Sequence, residues 1–148
     1  DSSALADLGA TLCRRVEEAL AEADFVTAHL PLTAETRHFF GTRRFSAMKK
    51  GTFFINTSRG GVVDETALLS ALRSGQLGGA GLDVREIEPP SGKIGFEEMD
   101  HVILAPHIGA ATFEAQTRTF DAVASDIDRL LRGEAALNFV NFPRPQRP

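Results

Sequence analysis

Four short apolar runs, at 25–30, 52–56, 79–84 and 101–105, recur along the chain, and no two-residue hairpin turn joins any of them. The gaps between them hold helical periodicity or a long loop instead. Strands spaced in this way cannot pair antiparallel through tight turns, so each return must cross over the sheet. The expectation is an α/β fold: a parallel sheet with flanking helices.

The connecting segments carry their own start and stop signals. Val16, Ala19, Leu20 and Ala23 share one face of a helix predicted over 14–23, with Glu17 and Glu18 outward. Thr42 is placed to cap a short helix in which Phe45 and Met48 share a face, with Lys49 and Lys50 in its last turn and Gly51 as terminator. Asp64 reads as an N-cap with Glu65 in the first turn, Leu68, Leu69 and Leu72 pointing inward and Gly75 ending the helix. The glycines of the third run imply close approach of a helix or a ligand. Residues 85–100, with two prolines and several charges, read as a loop. Thr112 caps a long helix whose Phe113, Phe120, Val123, Ile127, Leu130 and Leu131 lie on one side, closed by Arg129, Arg132 and Gly133. Ala4, Leu5 and Leu8 ahead of Gly9 have the spacing of a helix tail, and 138–148 reads as extended.

At 148 residues, 43% hydrophobic and 24% charged, the chain has the composition of one globular domain with a core. The net charge of −4 is spread over both signs, which argues against a nucleic-acid partner. No run is long enough for a membrane helix. Cys13, the single cysteine, has no disulfide partner within the chain and is expected to be a small buried apolar residue. No Cys/His cluster has metal-ligand spacing, so no metal is expected, and a cytoplasmic location fits these features.

If the runs are parallel strands, they end at Leu30, Asn56, Val84 and Ala105, and Pro31, Arg59, Asp83 with Glu88, and His107 stand at one edge. That carboxyl edge is where open α/β sheets bind ligands. Arg59, in a turn between a strand and a helix start, is placed to hold a carboxylate through two parallel hydrogen bonds, although a loop arginine is more often a solvated charge. His107, between Pro106 and Gly109, and Glu88 are each ordinary surface residues when taken alone. Together they suit acid and base work, because a carboxylate bonded to an imidazole favours its charged form and fixes its orientation. His29, His38 and His101 read as structural or surface residues.

The succession His29-Leu-Pro-Leu-Thr33, Asn56-Thr-Ser-Arg59-Gly60, Gly81-Leu-Asp83-Val84 with Glu88-Pro89, and Pro106-His107-Ile108-Gly109 resembles the NAD(P)-dependent D-2-hydroxyacid dehydrogenases, in particular the glyoxylate/hydroxypyruvate reductase and phosphoglycerate dehydrogenase branch. Four motifs in order over about residues 10–140 make the resemblance specific. It implies a Rossmann-like parallel sheet and NAD(P)H-dependent reduction of a small 2-oxoacid to a D-2-hydroxyacid. It further implies that Arg59 binds the substrate carboxylate and carbonyl, that His107 protonates the carbonyl oxygen and that Glu88 supports His107. Asp83 matches a residue that holds the nicotinamide carboxamide, and Leu30, Pro31, Thr36, Thr57, Ser58 and Gly109 match positions lining the cofactor, beside Arg59 and His107. A homodimer through the cofactor domain is also implied. The alternative is a non-catalytic, cofactor-sensing binding module of the same ancestry.

The chain departs from the family pattern in two places. It holds no Gly-x-Gly-x-x-Gly, so the sheet is expected to be truncated on its amino-terminal side and the chain to be inactive alone. The expected division is a partial dinucleotide-binding domain over 1–110, a long helix over 111–133 and an extended tail over 134–148. Asp1 is only a weak match to a ribose-binding acid. The segment Ser91-Gly-Lys-Ile-Gly-Phe-Glu-Glu replaces the family's usual proline-leucine run before the last strand, which puts the shape of the Glu88 loop in question.

Overall fold

All four expected strands form, and they join one parallel sheet in the order β1-β2-β3-β4: β1 (Phe25–Ala28), β2 (Thr52–Asn56), β3 (Leu77–Leu82) and β4 (Val102–Leu104). The computed structural model describes residues 7–92 and 94–139. Helix α1 (Val16–Glu22) precedes the sheet, α2 (Thr42–Ala47) links β1 to β2, α3 (Glu65–Arg73) links β2 to β3, and α4 (Phe113–Leu131) follows β4. The register aligns Ala28, Asn56, Leu82 and Leu104, so the four carboxyl ends are level. This alignment is what places their following loops along one edge.

The core lies on one face of the sheet. Val26, Ala28, Phe54, Ala80 and Leu82 are buried there with Leu20, Phe45, Leu68 and Leu72 from the helices and Met48 just after α2. Phe54 is the hub of an aromatic group, its ring 4.9 Å from Phe40 and 5.3 Å from Phe45 in an edge-on contact. The other face carries Phe25 and Phe53, stacked at 5.4 Å, and Ile103, all three exposed.

The caps of the two longer helices act as the sequence suggests. Asp64 Oδ1 accepts from the Ala67 N–H at 3.0 Å, and Thr112 Oγ1 accepts from the Ala115 N–H at 3.1 Å. Gly51, Gly75 and Gly133 follow the helices with φ of 87°, 70° and 79°, a region that costs a residue with a Cβ about 1–2 kcal/mol. The short helix differs from expectation: Gly41 occupies its N-cap position, and Thr42 is its first residue without a side-chain cap. Its last-turn cation is Arg44, while Lys49 lies beyond the end and pairs with Asp24.

Strand limits also shift. β1 ends at Ala28, before His29 and Leu30, and β3 runs from Leu77 to Leu82, two residues earlier than expected at both ends. Ladder bonds need a partner, and the partner of β3 starts early: Gly51 N–H bonds Gln76 O and Thr52 pairs with Leu77. Gly78 and Gly79 of β3 make room for neighbouring backbone. A Cβ on Gly78 would stand 2.5 Å from the Gly51 carbonyl, and one on Gly79 would stand 2.6 Å from the His101 carbonyl and 2.9 Å from the Phe53 ring.

Two further expectations are corrected. Cys13 is exposed: it lies in an irregular stretch ahead of α1 that is exposed among the described residues. The loop 85–100 contains a 3-10 turn, Phe96–Glu98, whose Phe96 is fully buried. Gly9 has a φ of 66°, as a residue ending a helix would, but Ala4, Leu5 and Asp1 lie outside the described residues, as do 140–148 of the tail.

The chain divides into two compact units, Asp1–His107 and Ile108–Pro148. Within the second, Asp126 on α4 accepts the backbone N–H groups of Leu137 and Asn138 at 2.8 and 2.9 Å, and these bonds hold its carboxyl below the usual carboxylate range. Phe113, Phe120, Val123, Ile127 and Leu131 of α4 are exposed.

Candidate active site

The turn after β2 is shaped by a buried side chain. Asn56 donates through Nδ2 to the Arg59 carbonyl at 3.0 Å, and its Oδ1 accepts from the Ser58 N–H at 3.0 Å and the Ser58 hydroxyl at 2.9 Å. These bonds close a tight turn into the 3-10 segment Gly60–Val62, and Arg59 is left exposed at its tip. The Arg59 guanidinium donates to the Ser58 carbonyl at 2.7 Å, and no carboxylate pairs with it among the described residues. Gly60 lies directly on the next loop: a Cβ there would fall 1.8 Å from the Arg85 carbonyl oxygen.

Backbone bonds tie the three neighbouring strand exits together. Asp83 N–H donates to Asn56 O at 3.0 Å, and His107 N–H donates to Asp83 O at 2.8 Å. Arg59 and His107 therefore leave the same edge with one strand between them, about 10 Å apart at the strand ends on ordinary sheet spacing. His107 has a φ of 57°, unusual for a residue with a side chain, and the bond to Asp83 helps to hold it there.

Glu88 faces the imidazole. Its Oε2 lies 2.7 Å from His107 Nδ1, and its Oε1 accepts the Arg85 N–H at 2.8 Å. The Arg85 N–H holds the Glu88 carboxyl below the usual carboxylate range; burial opposes it, and the His107 bond and charge then lower it further against a small effect of Asp83. An ionised carboxylate only accepts, so Nδ1 carries the proton and Nε2 is the nitrogen left for a ligand. Pro89, Pro90 and Pro106 line the cleft at this pair, with Arg85.

A second cleft on the same edge is lined by His29, Leu30, Pro31, Leu32, Ser58 and Arg59. Thr36 shapes its wall: its hydroxyl donates to the Pro31 carbonyl at 2.6 Å and accepts the Thr33 N–H at 2.8 Å. Thr57 is exposed beside it, and Asp83 is buried at the adjacent strand end. Gly109 belongs to the second unit, in the turn closed by Ala111 N–H to Ile108 O. His29 bonds Thr27 at 3.0 Å, His38 contacts Glu86 at 2.6 Å, and His101 is exposed.

The sequence reading passed over Arg85. Its side chain is only 8% exposed, with Nε 2.9 Å from Glu65 Oε1 and Nη1 3.4 Å from Glu97 Oε1, and its guanidinium stands over the Phe96 ring at 5.1 Å. Burial works against the charge, but the Glu65 and Glu97 carboxylates outweigh it and raise the guanidinium pKa further. Phe96 and Glu97 come from the very segment that departs from the family pattern. The one available signal was an arginine directly after an apolar strand, where burial would force it to find carboxylates.

An open parallel sheet with its polar groups gathered at the carboxyl edge defines a nucleotide-binding α/β domain. Comparison with known proteins makes that class specific. The family model for the D-isomer specific 2-hydroxyacid dehydrogenase NAD binding domain matches residues 1–109, and the chain belongs to that family. It is 44% identical over 136 residues to the D-3-phosphoglycerate dehydrogenase of Methanocaldococcus jannaschii, which covers 92% of this chain and 26% of that protein. It is 47% identical over 122 residues to glyoxylate/hydroxypyruvate reductase B of Salmonella paratyphi B, covering 82% of this chain and 38% of the relative. Among solved structures, the holo form of Rhodotorula graminis D-mandelate dehydrogenase superposes with a TM-score of 0.90 at 36% identity, over 96% of this chain and 41% of that one. The chain thus spans about a quarter to two fifths of the length of these relatives.

The residues at the edge fit the nicotinamide end of a dinucleotide. Leu30, Pro31 and Leu32 offer an apolar wall, and Asp83 places a buried carboxylate, the acceptor that a carboxamide NH2 requires, at the next strand end.

Proposed function

We propose that this chain contributes the catalytic edge of an enzyme that reduces a small 2-oxoacid, of the glyoxylate or hydroxypyruvate kind, to a D-2-hydroxyacid. When bound, NADH or NADPH supplies the hydride to the carbonyl carbon. Arg59 holds the substrate carboxylate and the carbonyl oxygen, where negative charge grows as the π bond breaks. His107, doubly protonated, gives its Nε2 proton to that oxygen and keeps its Nδ1 proton on Glu88. The Glu88 carboxylate, 2.7 Å from Nδ1, holds the ring in place throughout. Leu30, Pro31, Thr36, Thr57, Ser58 and Asp83 bind and orient the dinucleotide.

The observation that carries this reading is the 2.7 Å bond from Glu88 to His107 on the edge that also presents Arg59. Substitution of His107 by Gln, tested at the protein's full natural length, separates the enzyme from a cofactor-sensing module. Removal of a positioned acid costs about 10²–10⁴-fold in rate, so kcat falls by that amount while cofactor affinity holds. A variant that still turns over at the parent rate would refute the assignment. Because these 148 residues hold no Gly-x-Gly-x-x-Gly, we also propose that the chain taken alone transfers no hydride to glyoxylate or hydroxypyruvate. Full activity of the isolated chain would overturn that second statement.

A further inference from the structure

Glu88 depends on its loop for its aim. Two carboxylates from different elements grip that loop, and neither belongs to the proposed chemistry. Glu65, the first residue of α3, binds Arg85 Nε at 2.9 Å through Oε1 and Nη2 at 3.4 Å through Oε2, and its Oε1 also accepts the Glu86 N–H at 2.9 Å. Glu97 reaches Arg85 Nη1 from the 3-10 turn, which is itself pinned by the fully buried Phe96. The main chain of Arg85 then faces the site: its N–H holds Glu88 Oε1, leaving Oε2 for His107, and its carbonyl rests on Gly60 beside Arg59.

We propose that Arg85 is a positioning residue: clamped between Glu65 and Glu97, it fixes the backbone N–H that sets Glu88 against His107 and the carbonyl that abuts the Arg59 turn. Its charge is consumed by two carboxylates, so although it lines the His107 cleft it is not a substrate cation. The proposal rests on the function proposed above for its kinetic consequence, but not for its geometry. It also explains why the departing segment 91–98 does not leave the Glu88 loop without support, since that segment supplies Phe96 and Glu97.

The test is Arg85→Met, which keeps an unbranched apolar stem but removes the guanidinium and with it every side-chain bond to Glu65 and Glu97. Carboxyl NMR on the isolated chain follows the titration of Glu88, whose charged surroundings are the Arg85 N–H, His107 and Asp83. The expected result is a Glu88 titration moved up toward the ordinary 4.5, with weakening of the downfield signal of the proton between His107 and Glu88. In the enzyme at full natural length, kcat falls up to about 100-fold while the KM for the cofactor is unchanged, as expected for misplaced catalytic groups. The loss in the Arg85→Met/Glu88→Gln double variant is less than the product of the single losses, because both act through one carboxylate. Where Arg85→Met does not fold, Glu97→Ala removes a single arm of the clamp and is read in the same way. A folded variant with the parent Glu88 titration and additive losses overturns the proposal. Absence of hydride transfer from the parent enzyme would defeat the proposed function and leave the Glu88 titration to decide the clamp.

Discussion

At the scale of single residues, the consequences follow from which atoms carry charge. Arg59 donates one bond to its own turn and has its remaining N–H groups to offer, so on the function proposed above Arg59→Met, made at the protein's full natural length, is expected to raise the KM for the oxoacid about 10- to 150-fold, the worth of a charge-assisted bond of about 1.5–3 kcal/mol. Steady-state kinetics against oxoacid at saturating cofactor checks it; an unchanged KM would remove Arg59 from the carboxylate site. Glu88 makes a pH prediction. Its folded carboxyl titrates below the ordinary 4.5, chiefly because of the Arg85 N–H, so the folded state binds this proton more weakly than the unfolded chain does. The stability that Glu88 contributes is therefore complete above about pH 4.5 and is lost as pH falls through the lowered folded value. Urea unfolding of the parent and Glu88→Gln should show a gap that closes as pH falls through that acid window. A gap that persists unchanged through that window would contradict the Glu88 assignment.

Helix starts and strand exits decide how rigidly those atoms are held. Asp64 caps α3 through the Ala67 N–H, and Asp64→Ala should cost about 1 kcal/mol, seen as a drop of about 2–4 °C in Tm. Gly60 is the tighter constraint, because the first atom of any side chain would overlap the Arg85 carbonyl backbone, which cannot rotate away. Gly60→Ala should cost more than the cap, in the range of about 1–3 kcal/mol typical of overpacking, and should also separate the Arg59 turn from the Glu88 loop. Equal Tm values for Gly60→Ala and the parent would show that the two loops are not in contact. The same elements show what a sequence reveals. Asp64, Thr112, Gly75 and Gly133 were legible because caps and stops are local chemistry, and the common edge was legible because four similar strands without hairpins leave few topologies. Strand limits were off by two residues because a partner's backbone, not the strand's own residues, sets where pairing begins. The Glu65–Arg85–Glu97 cluster was illegible for a related reason: its three members lie 20 and 12 residues apart and meet only once the sheet has formed.

Across the whole molecule, the sheet presents an imbalance that elementary physics does not favour. Parallel sheets are ordinarily covered on both faces, and their strands are apolar on both sides for that reason. Here one face is packed by Leu20, Phe45, Leu68 and Leu72, while the other leaves Phe25 at 70% and Ile103 at 74% exposure, with Phe53 stacked beside Phe25. Adjacent exposed rings and a branched aliphatic chain on one sheet face form an apolar patch of the sort that binds hydrophobic dyes. The isolated chain is therefore expected to enhance the fluorescence of such a dye while keeping a cooperative unfolding transition, which separates a folded apolar face from a loosened core. Phe53→Thr tests the location: threonine suits a strand, removes the ring from the centre of the patch and leaves the buried partner Phe54 untouched. Dye fluorescence should fall with the strand content unchanged by circular dichroism. Fluorescence that persists in Phe53→Thr but disappears on substitution of Phe120 in α4 would assign the apolar surface to the second unit instead of the sheet.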